Sequence, residues 1–124
     1  MRRDLGYTLI ELLVVTAVIG ILAGLAISQY ASFRARGFDA KVASAVRHTA
    51  TGEEEFYITN RMYSNDVSEL DGMVLDGVEI TITAGNSGDI GTSFRIRGSH
   101  PSASKEYEWV SDPAPGEPNF FEDS

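Results

Sequence analysis

The run from Tyr7 to Ile27 (YTLIELLVVTAVIGILAGLAI) is apolar for 21 residues and contains one side chain charged at neutral pH, Glu11. At about 1.5 Å per residue a helix of this length reaches roughly 31 Å, enough to cross a hydrocarbon core. A helix also pairs its backbone polar groups internally, so the segment predicts a membrane span. Its carboxylate is the exception. An acid at the centre of a span costs about 2.5–3.5 kcal/mol on insertion scales, and less near an end.

Three roles are open to Glu11. Thr8-Leu-Ile-Glu11 is a T-x-x-E capping box, in which Thr8 bonds forward and Glu11 reaches back to the backbone. A negative charge in the first turn also suits the helix dipole. Gln would cap equally well, however, so capping leaves the charge unexplained. Secondly, the acid can lie close enough to the interface for its cost to be small. Thirdly, a cut after Gly6 would expose the α-amine of Tyr7, a cationic partner for Glu11 in the same or a neighbouring chain.

Gly6-Tyr7-Thr8-Leu9-Ile10-Glu11-Leu12-Leu13-Val14-Val15 resembles the amino-terminal signature of type IV prepilins and type II secretion pseudopilins. That pattern is a short charged leader ending in Gly, then Phe-Thr-Leu-Ile-Glu-Leu and an apolar helix. The likeness covers about the first thirty residues. It implies that Gly6 ends a leader read by a membrane prepilin peptidase and that Tyr7 becomes an N-methylated mature terminus. It also implies that Glu11 meets the terminal amine of an adjacent subunit. The sequence departs from the pattern in three places. Tyr7 stands where Phe is usual, Asp4 accompanies Arg2 and Arg3 in the leader, and Ser28 stands where many members have Pro. The last leaves a mid-helix kink in question.

A secretory signal peptide is the competing reading of the N-terminus. Met1-Arg2-Arg3 would be its positive region and Gly24-Leu25-Ala26 a small-x-small cut site. The apolar run is longer than such segments and contains Glu11. Arg2 and Arg3 place the N-terminus in the cytoplasm and the remainder outside.

The 124 residues, less the first 27, leave 97 for one small domain. With no cysteine in the chain, that domain stands without disulfides, including the C-terminal loop of many pilins. From Met62 to Ser124 there are twelve acidic and three basic residues, a net of −9. A surface so acidic repels phosphates and excludes nucleic acid as the primary partner.

Beyond the span Tyr30, Phe33, Phe38, Val42, Ala45, Val46, Thr49, Phe56 and Tyr57 recur at helical spacing, with Arg34, Arg36, Lys41 and Arg47 between them. One long helix from about Thr8 to Thr59 is expected, apolar all round in its first half and on one face in its second, with Gly37 and Gly52 as weak points. Packing against the domain accounts for these aromatics better than an electron-transfer role. Gly20-x-x-x-Gly24, followed by Ser28, puts small residues on one face of the span and permits close helix contact, although glycine is also common in membrane helices.

Asn60–Gly72 reads as a loop. Val78–Thr83, Thr92–Arg97 and Lys105–Val110 alternate as strands, with Gly85–Gly91 a turn between the first two. Tyr107 and Trp109 are expected to face the helix. The tail from Asp112 reads as an irregular acidic strap. The fold class is α+β: one long N-terminal helix on a small antiparallel meander, pilin-like by resemblance. The expected divisions are a leader at 1–6, a membrane half at 7–27, an amphipathic half at 28–60 and a β-rich head at 61–124.

No catalytic motif is present, and His48 and His100 stand apart on a helix and in a turn. Asp66, Glu69, Asp71 and Asp76 lack the spacing of a calcium loop, so a solvated acidic segment is expected, with neither metal nor cofactor. The resemblance implies a filament subunit that polymerises with its own copies. Its partners would be the prepilin peptidase and a pilus or secretion assembly machinery in the inner membrane, and its destination the cell surface. A pseudopilin in a periplasmic filament, a membrane-anchored acidic binding module that does not polymerise, and a soluble protein cut after Ala26 remain open.

Glycine presents no side chain, so a peptidase that approaches the backbone closely at Gly6 excludes larger residues by sterics. Gly6→Val is expected to retain the leader, checked by intact mass. Normal processing of the variant would refute that cut site.

Overall fold

The computed structural model describes residue 6 and residues 8–123. Helix α1 occupies Leu9–Asn60 and is followed by a 3-10 turn at Val67–Glu69. Strands β1 (Glu79–Ala84), β2 (Phe94–Ser99), β3 (Glu106–Val110) and β4 (Phe120–Asp123) follow in order. All neighbours pair antiparallel in one sheet, β1-β2-β3-β4. The chain divides into an N-terminal unit ending at Arg34 and a second beginning at Ala35.

In the second unit the helix contributes Val42, Ala45, Val46, Thr49 and Ala50 to the core, a spacing of three and four that makes one buried stripe. The sheet answers with Ile82, Phe94 and Ile96, and Leu70 and Val78 close the sides. Phe94 and Ile96 are fully buried, while Arg95 and Arg97 project from the opposite face of β2 as alternation requires. There Glu108 of β3 bridges both guanidiniums, with Arg97 Nη2 3.1 Å from its Oε2. This carboxylate is buried but paired.

The helix packs tightly on the sheet at Gly98. A Cβ there would overlap Val46 and lie 3.1 Å from a Val42 methyl and 3.2 Å from Ile80 Cδ1. Glycine in this strand therefore sets the helix–sheet spacing rather than a bend. A second tie is Asp39, buried on α1, whose carboxylate accepts Ser104 N–H (2.7 Å), Ser104 Oγ–H (2.6 Å) and Lys105 N–H (3.0 Å). Burial pushes this carboxyl up, but the bonds from Ser104 and Lys105 outweigh it and hold it below the ordinary value.

Some expectations from sequence need correction. Tyr30 and Phe33 are exposed, at 68% and 66%, and so lie outside the buried stripe; they precede the unit that supplies the sheet. Tyr107 and Trp109 face the core as alternation implied, yet both are only half-buried at its margin, with Phe120 beside them. The tail is not wholly irregular. Phe120–Asp123 adds a fourth strand to β3, and the Arg47 guanidinium sits 4.3 Å from the Phe120 ring centre. Pro113, Pro115 and Pro118 obscured this strand, because they dominate the segment that leads to it.

Gly98→Ala forces overpacking worth about 1–3 kcal/mol. Since 1 kcal/mol shifts a domain of this size by about 4–8 °C, its Tm in detergent micelles is expected to fall by on the order of 10 °C. Gly37→Ala, where an added Cβ meets nothing within 4 Å, is expected to leave Tm unchanged or raise it slightly. A Gly98→Ala variant as stable as the parent would show that the close approach is not limiting.

Candidate processing and assembly site

The N-terminal unit is helix α1 from Leu9 to Arg34 with the residues before it. Leu, Ile, Val and Ala fill this half as far as Ile27, and the helix continues through Gly20, Gly24 and Ser28. Its large side chains are open on every side, from 49% exposed at Val18 to 76% at Leu9. It is a helix long and apolar enough to cross a membrane. So wide an apolar surface is stable only in lipid or against other helices.

Two hydroxyls, that of Thr16 within the run and that of Ser28 just beyond it, are satisfied by the helix itself. Thr16 Oγ–H donates to the carbonyls of Leu12 and Leu13, each at 3.0 Å, and Ser28 Oγ–H to that of Leu25 at 3.2 Å. Such back-bonding removes the cost of a polar group in hydrocarbon. At Gly20 and Gly24 an added Cβ would meet nothing within 4 Å, so both leave an open notch on the helix surface.

Thr8 and Glu11 form the capping box. Thr8 N–H donates to Glu11 Oε2 at 2.8 Å, and Glu11 N–H donates to Thr8 Oγ1 at 3.3 Å. Leu12 N–H reaches the Thr8 carbonyl at 3.3 Å, which closes the first turn. Two of the orphan donors at the helix start are thereby satisfied. A carboxylate has about four lone-pair positions, and capping occupies one of them. Glu11 can therefore cap its own helix and still receive a cation. Gly6 is exposed immediately before this box. Tyr7, on which the expected cut and methylation fall, lies outside the described residues.

Three of the four acidic residues singled out near the head, Asp66, Glu69 and Asp76, have structural partners. Asp66 Oδ1 accepts Ser68 N–H at 2.9 Å and starts the 3-10 turn. Glu69 accepts the Ser64 hydroxyl, and Asp76 pairs with Lys41 Nζ at 2.5 Å. His100 stacks on Phe38 with ring centres 4.3 Å apart and accepts Ser102 N–H at Nδ1. Sequence reasoning missed Asp39 and Glu53, both buried on α1. A carboxylate at a core-facing helical position was the signal available for each.

Residues 1–27 match the family described as the prokaryotic N-terminal methylation motif. The chain is 35% identical over 68 residues to the type IV major pilin protein PilA of Myxococcus xanthus, covering 55% of this chain and 31% of the relative. It is 32% identical over 83 residues to the type IV wide pilus major component PilA4 of Thermus thermophilus, covering 67% of this chain and 63% of that protein. A fimbrial protein of Pseudomonas aeruginosa is 44% identical over 54 residues, 44% of this chain and 35% of the relative. The chain thus spans less than two thirds of the length of each of these relatives. With the methylation motif at its start, an apolar helix and a four-stranded antiparallel sheet, the chain has a pilin-like α+β fold and a sequence similar to type IV major pilins.

Proposed function

We propose that this chain is the structural subunit of a type IV pilus-like filament, made as a membrane-anchored precursor, cut after Gly6 and polymerised through its N-terminal helix. The observation that carries it is the first half of α1: an apolar surface open on all sides, headed by one carboxylate inside the methylation motif. The names of the relatives, major pilins and fimbrial proteins, favour a filament subunit over a non-polymerising anchor. The role is mechanical rather than catalytic.

Two physical needs select the same arrangement. In the precursor, lipid covers the helix and the acid lies near an end of the span, where its cost is smallest. In a filament, neighbouring copies of the helix cover one another, and van der Waals packing at Gly20 and Gly24 lets them approach closely. Apolar helices alone can slide axially. An ionised Glu11 against the Tyr7 amine of a neighbour gives one preferred register, because either charge left alone in that setting is uncompensated. The peptidase that cuts after Gly6 creates this amine, so processing and assembly are coupled through one group. Precursor in the inner membrane and filament at the cell surface follow from this order of events.

Glu11→Gln keeps the size and the capping acceptor but removes the charge. It is expected to be cut normally after Gly6 and to form few or no filaments, seen by electron microscopy and by the sheared surface fraction. Glu11→Ala, which can neither cap nor pair, is expected to fail equally. Abundant filaments from Glu11→Gln with none from Glu11→Ala would assign Glu11 to the capping box and refute charge pairing.

A further inference from the structure

Glu53 on α1 is fully buried, and it faces the segment that leads from the helix to the sheet. Its Oε2 accepts the backbone N–H of Ser64 at 2.9 Å, while Oε1 has no hydrogen-bond partner. Ser64 also donates its hydroxyl to Glu69, and the Asp66 N–H returns to Ser64 Oγ at 2.9 Å. Ser64 is thus held between two carboxyl groups, one from the helix and one from the 3-10 turn. Leu70 and Met73 pack beside the neighbouring Gly52, which keeps this corner apolar.

The charged groups that act on Glu53 are both acids, Glu54 on its own helix and Glu69 from the turn packed against it. Tyr63 contributes a phenol whose O–H donates to Glu54 Oε1 at 3.4 Å. An ionised Glu53 would hold a charge out of water with one hydrogen bond and two like charges nearby, the arrangement that buried carboxylates avoid by keeping a proton. The neutral acid accepts Ser64 N–H at its carbonyl oxygen and leaves one O–H on Oε1 without an acceptor, a smaller cost than a buried charge.

We infer that Glu53 is a proton-operated latch: in its neutral form it fastens the Arg61–Asp71 segment to α1, and loss of its proton releases that segment from the helix. Burial, followed by the charges of Glu54 and Glu69, raises its pKa from 4.5 to about 7 against the opposing Ser64 bond. Once the segment is released, the Glu53 carboxyl on α1 is solvated and regains its ordinary value. Between about pH 4.5 and 7 the released form therefore binds fewer protons than the latched form, so latching weakens as pH rises across this window and levels off above it. The inference is independent of filament assembly.

The test is amide hydrogen exchange on the full chain in detergent micelles from pH 5 to 8, corrected for the intrinsic dependence of exchange on pH. Protection of the Ser64 amide is expected to fall about tenfold or more between pH 5 and 7, with a smaller change in β2. Glu53→Gln, which keeps the acceptor and cannot ionise, is expected to hold Ser64 protection flat. Glu69→Gln, which removes a neighbouring charge and leaves Glu53 in place, is expected to move the midpoint of the fall to lower pH. Constant protection in the unmodified chain, the same fall in Glu53→Gln, or an unmoved midpoint in Glu69→Gln would each overturn the latch. So would restoration of protection at pH 8 by calcium chloride, which would assign the orphan oxygen to a cation instead.

Discussion

The physical constraint on which the described residues depend is that helix α1 carries two different surfaces in its two halves. The first half presents apolar side chains in every direction, with Val18, the most sheltered large one, still 49% exposed. Area removed from water is worth about 25 cal/mol per Å2, so such a surface gains strongly from any apolar neighbour and has no preference among apolar neighbours. Lipid and sister helices are interchangeable partners on this basis. The preference that matters, register, must come from polar groups and local shape, and among the described residues the run offers Thr8, Glu11, Thr16 and the notches at Gly20 and Gly24. Thr16 is already committed to its own backbone. Glu11 is the charged one among the described residues of the run, and it keeps unused hydrogen-bonding capacity.

The second half solves a different problem, holding four short strands to a single helix without disulfides. Apolar burial supplies the bulk of the attraction through Val42, Val46, Phe94 and Ile96, and Gly98 lets the backbone of β2 come within reach of the valines. Direction is supplied by buried carboxylates. Asp39 satisfies three donors of the Ser104–Lys105 turn, and Glu108 is neutralised by Arg95 and Arg97 on the outer face. Glu53 differs from these two, because its donors run out before its oxygens do. A carboxylate that is fully satisfied fixes structure, whereas one that is not makes structure depend on pH.

Much of this was legible in the sequence because the signals were periodic. The helix, expected from Thr8 to Thr59, runs from Leu9 to Asn60, and the three alternating strands appear within about two residues of their expected ends. The capping box of Thr8 and Glu11 has the reciprocal geometry its spacing implied. What could not be read was tertiary. The core-facing helical positions of Asp39 and Glu53 hinted at their burial, but their partners depend on which loop lies over each, and no local pattern in α1 encodes the Ser104 turn some 65 residues away. The strand at Phe120–Asp123 is four residues long and pairs only because β3 offers an open edge. Trp109 illustrates the limit of alternation: the face was correct, but the residue lies at the margin of the core and is half-buried.

The central claim is that the helix is delivered to its neighbours with a newly made amine beside Glu11. Intact mass combined with N-terminal sequencing of the protein isolated from its own cells tests this most directly. Tyr7 as the first residue, one methyl group heavier than the unmodified amine, is the predicted result. A chain that retains Met1 would contradict the account by leaving Glu11 without its partner. One that begins at Ile27 would contradict it by removing the assembly helix altogether.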